Sequence, residues 1–216
     1  MAIYLILDIE TLPHPRAGEW LDPVVADKRL KDPAKIDADL AEKTLEREDK
    51  LGLDPDTNVI AAIGYHVVGG ADPVCLVMEN EQEERQNLIM FRDFYNDINQ
   101  RNDVRTVTFY GFKFDLICLK RRAVYLEVPN FPQFSTDRFR SNHIDVWWEL
   151  SEHGQIPARS LKFYAKRFGI GTLDKVNGCE ITQLVKAGNW DAVEAHCLSD
   201  IAITHVLANR LDLLKL

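Results

Sequence analysis

Residues 2–11 read AIYLILDIET. From Ala2 to Ile9 the run is apolar except for one acid near its end, which suits a central strand buried on both faces better than an edge strand. Side chains alternate along a strand, so Asp8 and Glu10 fall on one side at its C-terminal end, where two acids can reach a single ion. Taken alone, an Asp-x-Glu at a strand end reads equally well as two solvated acids. Its meaning depends on what the rest of the chain brings to it.

Working outward, residues 16–52 change character and carry many charges of both signs, with Asp39/Lys43 and Glu46/Lys50 at the spacing that supports a solvated helix. The same lysines and arginines also suit a flap following a phosphate backbone. Two short β-branched runs, 58–68 and 74–78, flank Gly69, Gly70, Asp72 and Pro73 and predict a hairpin. Leu88, Ile89, Phe91, Phe94, Tyr95 and Ile98 recur at helical spacing and predict an amphipathic helix over 82–99. A strand is expected over 104–109, a helix from Asp115 through Ala123, a short strand near Ile144, and helices over 160–168, 180–187 and 190–214. Strands come first and helices dominate the end, with no internal repeat and no linker. The expectation is one mixed α/β domain spanning residues 1–216, with a charged helical insertion over 16–52.

The composition bounds the function. The chain has 216 residues, 46% of them hydrophobic and 28% charged, enough for one well-buried domain. No apolar run approaches the roughly 18 residues needed to cross a bilayer, and a lone Met stands in place of a basic n-region before the short apolar segment, so membrane insertion and secretion are not expected. Cys75, Cys118, Cys179 and Cys197 lie far apart with no zinc-like spacing and read as reduced thiols of a cytoplasm. A formal net charge of -8 argues against coating long stretches of duplex, which requires neutralising many phosphates. It leaves room for a narrow pocket that takes one nucleic-acid end.

Two further acids join Asp8 and Glu10. Asp115 follows a strand in FYGFKFDLICLKRRA, where a helix N-cap is the simplest role for a carboxylate. Asp200 lies inside the helix AVEAHCLSDIAITHVLANR, where capping cannot be the reason, and His196, Asp200 and Thr204 share one face by their spacing of four. Acids gathered at one point repel and raise one another's pKa unless cations neutralise them. Magnesium or manganese suits oxygen-only ligands. Two such ions roughly 3.5 to 4 Å apart would support in-line attack of water on a phosphodiester.

DIET at 8–11, GFKFD ending at Asp115 and HCLSD ending at Asp200 resemble the three motifs of the DEDD (DnaQ-like) 3′-5′ exonucleases. More narrowly, the chain resembles the predicted exonucleases related to the proofreading domain of family B DNA polymerases. SLKFYAKRFGI at 160–170 and NGCEITQLVKAGNWDAVEAHCLSD at 177–200 carry the likeness further, and KDPAKIDADLAEK with LDPDTNVIAAIG is similar to stand-alone versions found in phages and prophages. The resemblance implies a ribonuclease H-like fold, a five-stranded mixed sheet flanked by helices. It implies a cytoplasmic bacterial enzyme removing 5′-mononucleotides from 3′ ends, of single-stranded DNA before RNA, with a replication or repair complex as a candidate partner. Asp8, Glu10 and Asp200 would hold the first of two ions, with Asp8 bridging to the second and Asp115 holding that one. Thr11 and Leu12 would approach the terminal nucleotide.

Two positions depart from that pattern. His196 stands where the subfamily usually has Tyr, and a histidine there suits orienting or deprotonating the attacking water, or equally a place in the core. Tyr110, Gly111 and Phe112 replace an Asn-Gly-Arg run, and their rings suit stacking on unpaired bases. Arg101, Arg105, Lys113, Lys120, Arg121 and Arg122 against Asp103 and Asp115 suggest a basic rim for phosphates, or a solvated helix face. Asp145 is expected at most to support the centre from behind. The rival readings are an exoribonuclease on the same fold and a catalytically inactive nucleic-acid-binding module.

Overall fold

The structure is a computed structural model that describes residues 2–135, 137, 142–171 and 176–215, excepting the side chain of Cys179. Its elements in chain order are β1 (Ala2–Pro13), α1 (Ala17–Trp20), α2 (Pro33–Leu51), β2 (Asn58–Val67), β3 (Val74–Val77), α3 (Glu81–Arg101), β4 (Asp103–Thr108) and α4 (Asp115–Tyr125). Then come β5 (His143–Asp145), α5 (Val146–Leu150), α6 (Leu161–Arg167), a 3₁₀ turn at Gly178–Glu180, α7 (Ile181–Lys186) and α8 (Trp190–Arg210). The five strands form a mixed sheet in the order β3-β2-β1-β4-β5, with β2 antiparallel to β1 and β3, and β4 parallel to β1 and β5. This is the five-stranded mixed α/β sheet expected from the sequence. Among the described residues, no helix is long and apolar enough to cross a membrane.

The central strand explains the two layers. Leu5, Leu7 and Ile9 pack into one core with Leu88 and Phe91 of α3 and Leu116 and Leu119 of α4. Tyr4 and Ile6 pack into the other with Ile201, Ile203 and Leu207 of α8 and Val146 of α5. A strand buried on both faces cannot alternate polar with apolar, hence the unbroken run at the N-terminus. Asp8 and Glu10 continue the even-numbered row, so they stand on the face that α8 covers.

Helix α8 lies unusually close to the sheet because Gly64 of β2 has no side chain. A Cβ there would fall 2.5 Å from Ile201 Cδ1 and 2.6 Å from Cys197 Sγ. Helix α2 contributes nothing to either core, having no buried residue, as its charge pattern predicts. It is Pro at N1 and the side chain of Asp32, accepting from the Ala34 amide, that start it. The segment around it leaves and rejoins the sheet at one place. The His14 amide donates to the Thr57 carbonyl at 2.8 Å, and the Thr11 hydroxyl donates to the Gly52 carbonyl at 2.6 Å.

Most expected elements appear within a few residues of their predicted ends. Helix α5 was not expected: the bulky VWWEL segment follows the β5 strand directly, and its start signal is Asp145, whose side chain accepts from the amides of Trp147 and Trp148.

Candidate metal centre

A cleft of about 700 Å³ opens at the C-terminal ends of β1 and β4. Asp8, Glu10, Asp115, His196 and Asp200 all line it. The first two come from β1, Asp115 from the first turn of α4, and the last two from α8. Within this set, ligand atoms of Glu10, His196 and Asp200 lie within 4.8 Å of one another, as do those of Asp8, Glu10 and Cys197. His196 is buried and points its Nε2 at the acids, 3.6 Å from Glu10 Oε1 and 3.9 Å from Asp200 Oδ2. Its spacing of four from Asp200 puts both on the helix face turned to β1.

Asp115 is 3% exposed. Burial is the main force on its carboxyl and pushes it up to about 7, with the charges of Asp145 and Asp200 adding to the rise. The backbone amides of Asp115 itself and of Ile9 pull the other way. Burial likewise holds Asp8 well above the ordinary carboxylate range, followed by repulsion from Glu10, Asp115 and Asp200. Charges this mutually unfavourable lose their cost when a cation shares them. The donors are mainly hard carboxylate oxygens, the chemistry that magnesium and manganese prefer. The residues therefore fit a divalent metal.

The turn that delivers Asp115 has its own framework. Tyr110 adopts φ 74°, a left-handed conformation costly for a residue with a Cβ. Asp145 offsets it: one carboxylate oxygen accepts from the Tyr110 amide at 2.8 Å and the other from the Phe112 amide at 3.0 Å. The same side chain caps α5. Gly111 is required between them, since a Cβ there would lie 2.1 Å from Thr108 Oγ1. Thr108 Oγ1 in turn accepts from the Gly111 amide and sits 2.7 Å from His143 Nε2. Asp145 is thus a buried brace behind the centre.

The expected nucleotide contacts separate. Tyr110 is 37% exposed, lines the cleft, and meets the Trp147 ring edge-on at 4.8 Å, with Lys113 Nζ 5.1 Å from the Trp147 ring centre. Phe112 turns inward against His143 and is not one of the cleft residues, so packing rather than stacking on bases accounts for it. Thr11 and Leu12 do not line the cleft either. Thr11 holds Gly52, and Leu12 packs beside Val193 and Cys197.

The basic rim lies elsewhere than expected. Arg122 is buried in ion pairs with Glu84 and Glu81; Arg101, Arg105 and Arg121 pair with Asp97, Asp103 and Asp56; Lys120 donates to the Phe134 carbonyl. Of these, the Arg122 pairs tie α4 to α3, and the others lie within one element or reach a loop. Among the described residues, the basic groups lining the cleft are Arg159 and Lys162, beside Ser160, Asn177 and Gly178, while Lys113 of the expected rim stays at its edge over the Tyr110 and Trp147 rings. Their side of the cleft is built from segments distant in sequence, and only the likenesses of 160–170 and 177–200 pointed toward it.

Comparison with known proteins follows the same outline. No curated protein matches the chain. Among solved structures it is similar to the family B DNA polymerase from the hyperthermophilic archaeon Pyrobaculum calidifontis, with a TM-score of 0.64 and 17% identity. That alignment covers 97% of this chain and 24% of the polymerase chain, and at such identity the likeness is one of fold. A family described as predicted 3′-5′ exonucleases related to the exonuclease domain of PolB matches residues 56–215. The matched stretch holds Asp115, His196 and Asp200, while Asp8 and Glu10 precede it. With most of its length matched in this way, the chain belongs to that family of predicted 3′-5′ exonucleases.

Proposed function

We propose that this protein is a metal-dependent 3′-5′ exonuclease that hydrolyses the last phosphodiester of single-stranded DNA, by two-metal chemistry, and releases 5′-mononucleotides. The observation that carries the reading is the meeting of Asp8, Glu10, Asp115 and Asp200 in one cleft, with Asp8 and Asp115 raised by burial and mutual repulsion. Asp8, Glu10 and Asp200 would hold one ion, and Asp8 with Asp115 the other. When bound, the ions supply charge for the developing oxyanion and lower the pKa of the attacking water.

The chain's own groups do the rest. The Ile9 amide favours the charged form of the Asp115 carboxyl that the cleft needs. His196 Nε2, set between Glu10 and Asp200, is placed to orient the attacking water or take its proton. Arg159 and Lys162 on the opposite side would hold the phosphates leading to the scissile bond. The substrate is pictured as a 3′ end exposed in a cytoplasm during replication or repair.

The test is a 5′-labelled single strand, as DNA and as matched RNA, incubated with magnesium or manganese and with chelator. A ladder that shortens from the 3′ end of DNA only when metal is present is the expected result. Shortening of RNA alone would assign an exoribonuclease instead. Intact strands throughout would leave a binding module.

A further inference from the structure

Two thiols stand beside the acidic centre, and neither has a part in the chemistry above. Asp8 of β1 pairs across the sheet with Gly64 of β2, and Gly64 pairs with Cys75 of β3. Residues directly opposite in a sheet share a face, so Asp8, Gly64 and Cys75 form one row under α8. Cys197 of α8 lies over the middle of that row, close enough that a Cβ on Gly64 would fall 2.6 Å from its sulfur. On one side its thiol is 3.9 Å from the Asp8 carbonyl oxygen. On the other, the Cys75 thiol is near enough to be the largest cause holding the Cys197 thiol above its ordinary pKa, ahead of burial. Both are free thiols, Cys197 buried and Cys75 half-buried.

We propose that Cys75 and Cys197 are a site of reversible oxidation, in which a disulfide between them pins α8 to β3 and disturbs the acids that α8 and β1 bring together. An oxidant of the peroxide class reaches the half-exposed member first. The Cys75 sulfur attacks one peroxide oxygen, the O–O bond breaks, and the products are a Cys75 sulfenic acid and one water. The Cys197 sulfur then attacks the Cys75 sulfur, an S–S bond replaces the S–O bond, and the displaced hydroxide takes the Cys197 proton and leaves as a second water. Two electrons pass from the sulfurs to the peroxide, and a small thiol reverses the change.

The geometry makes this pair more consequential than two cysteines elsewhere. A disulfide needs a sulfur separation near 2.0 Å, shorter than any non-bonded contact, so one partner must move. Cys197 is adjacent to His196 and one helical turn before Ile201, and it gives up its contact with the Asp8 carbonyl when its proton goes. Gly64 offers no side chain to resist the approach. The formation of the bond goes beyond the exonuclease reading, whereas its effect on hydrolysis rests on it.

The experiment treats the full-length protein with hydrogen peroxide, quenches it, and maps peptides by mass. The expected product is lighter by two hydrogens in a single peptide pair joining the Cys75 and Cys197 regions, and dithiothreitol removes it. Hydrolysis by the oxidised protein should fall about tenfold or more, since small displacements of reacting groups cost up to about 100-fold, and should return on reduction. Cys75→Ser and Cys75→Ala should keep the basal rate and resist peroxide. No crosslink, or one to Cys118 or Cys179 instead, overturns the proposal. A crosslink that leaves hydrolysis unchanged overturns its coupling to the centre. Should the reduced protein cleave no nucleic acid, the exonuclease reading fails while the peptide map still decides the pair.

Discussion

At the scale of single residues, Asp115 carries the sharpest expectation. Its carboxyl is raised from 3.8 to about 7, so the folded, metal-free protein binds a proton there that the unfolded chain has released. Stability must therefore fall as pH rises from about 4 to about 7 and stay low above it, by up to a few kcal/mol. Asp115→Asn should flatten that fall and raise the metal-free melting temperature at pH 8, while hydrolysis drops by about 100-fold or more. Melting curves and rates on the same preparation check both halves. If the variant melts lower at pH 8 than the parent, the picture of stored repulsion is wrong. His143 gives the opposite slope: burial lowers it to about 3, so the unfolded chain binds the extra proton between about 3 and 6.5, and stability is lost as pH falls through that window. His143→Gln should make the acid limb shallower in a melting series. Of the acids of the centre only Asp200, mid-helix, lacked a structural excuse in the sequence; Asp8, Glu10 and Asp115 became legible through their combination with it and through the resemblance. The environment of Phe112 was not, because nothing local says whether a ring beside a glycine faces a cleft or a core.

At the scale of elements, close approach decides function. The contact of α8 with β2 depends on Gly64, and Gly64→Ala should cost about 1–3 kcal/mol of stability by overpacking. It should also lower hydrolysis beyond what lost folded protein explains, because the helix it lifts carries His196 and Asp200. Active-site titration against folded fraction separates these effects. Asp145→Ala removes the acceptor for the Tyr110 and Phe112 amides and the cap of α5, and a loss of about 1–3 kcal/mol is expected. Rates should fall with it, since the turn before Asp115 loses its brace. The periodicities were readable enough to place nearly every long element. The helix α5 escaped because two tryptophans after a strand look like more strand, although Asp145 was signalling a cap. The misplaced basic rim has a different cause: Arg122 meets Glu84 across 38 positions of sequence, and charge clusters read along the chain cannot show such pairings.

At the scale of the whole molecule, the unfavourable carboxylate cluster should make the folded state depend on divalent metal. Manganese at 100 times its dissociation constant would stabilise a single site by about 2.7 kcal/mol, visible as a raised melting temperature that chelator reverses. A melting point indifferent to manganese would contradict the metal centre. Helices α1 and α2 belong to an excursion that departs after β1 and returns before β2 through a single doorway, the His14–Thr57 and Thr11–Gly52 hydrogen bonds. Because one backbone and one side-chain hydrogen bond already shut that doorway, the strands on either side do not depend on the length of the stretch between them, and a shortening or insertion inside it would leave their pairing intact.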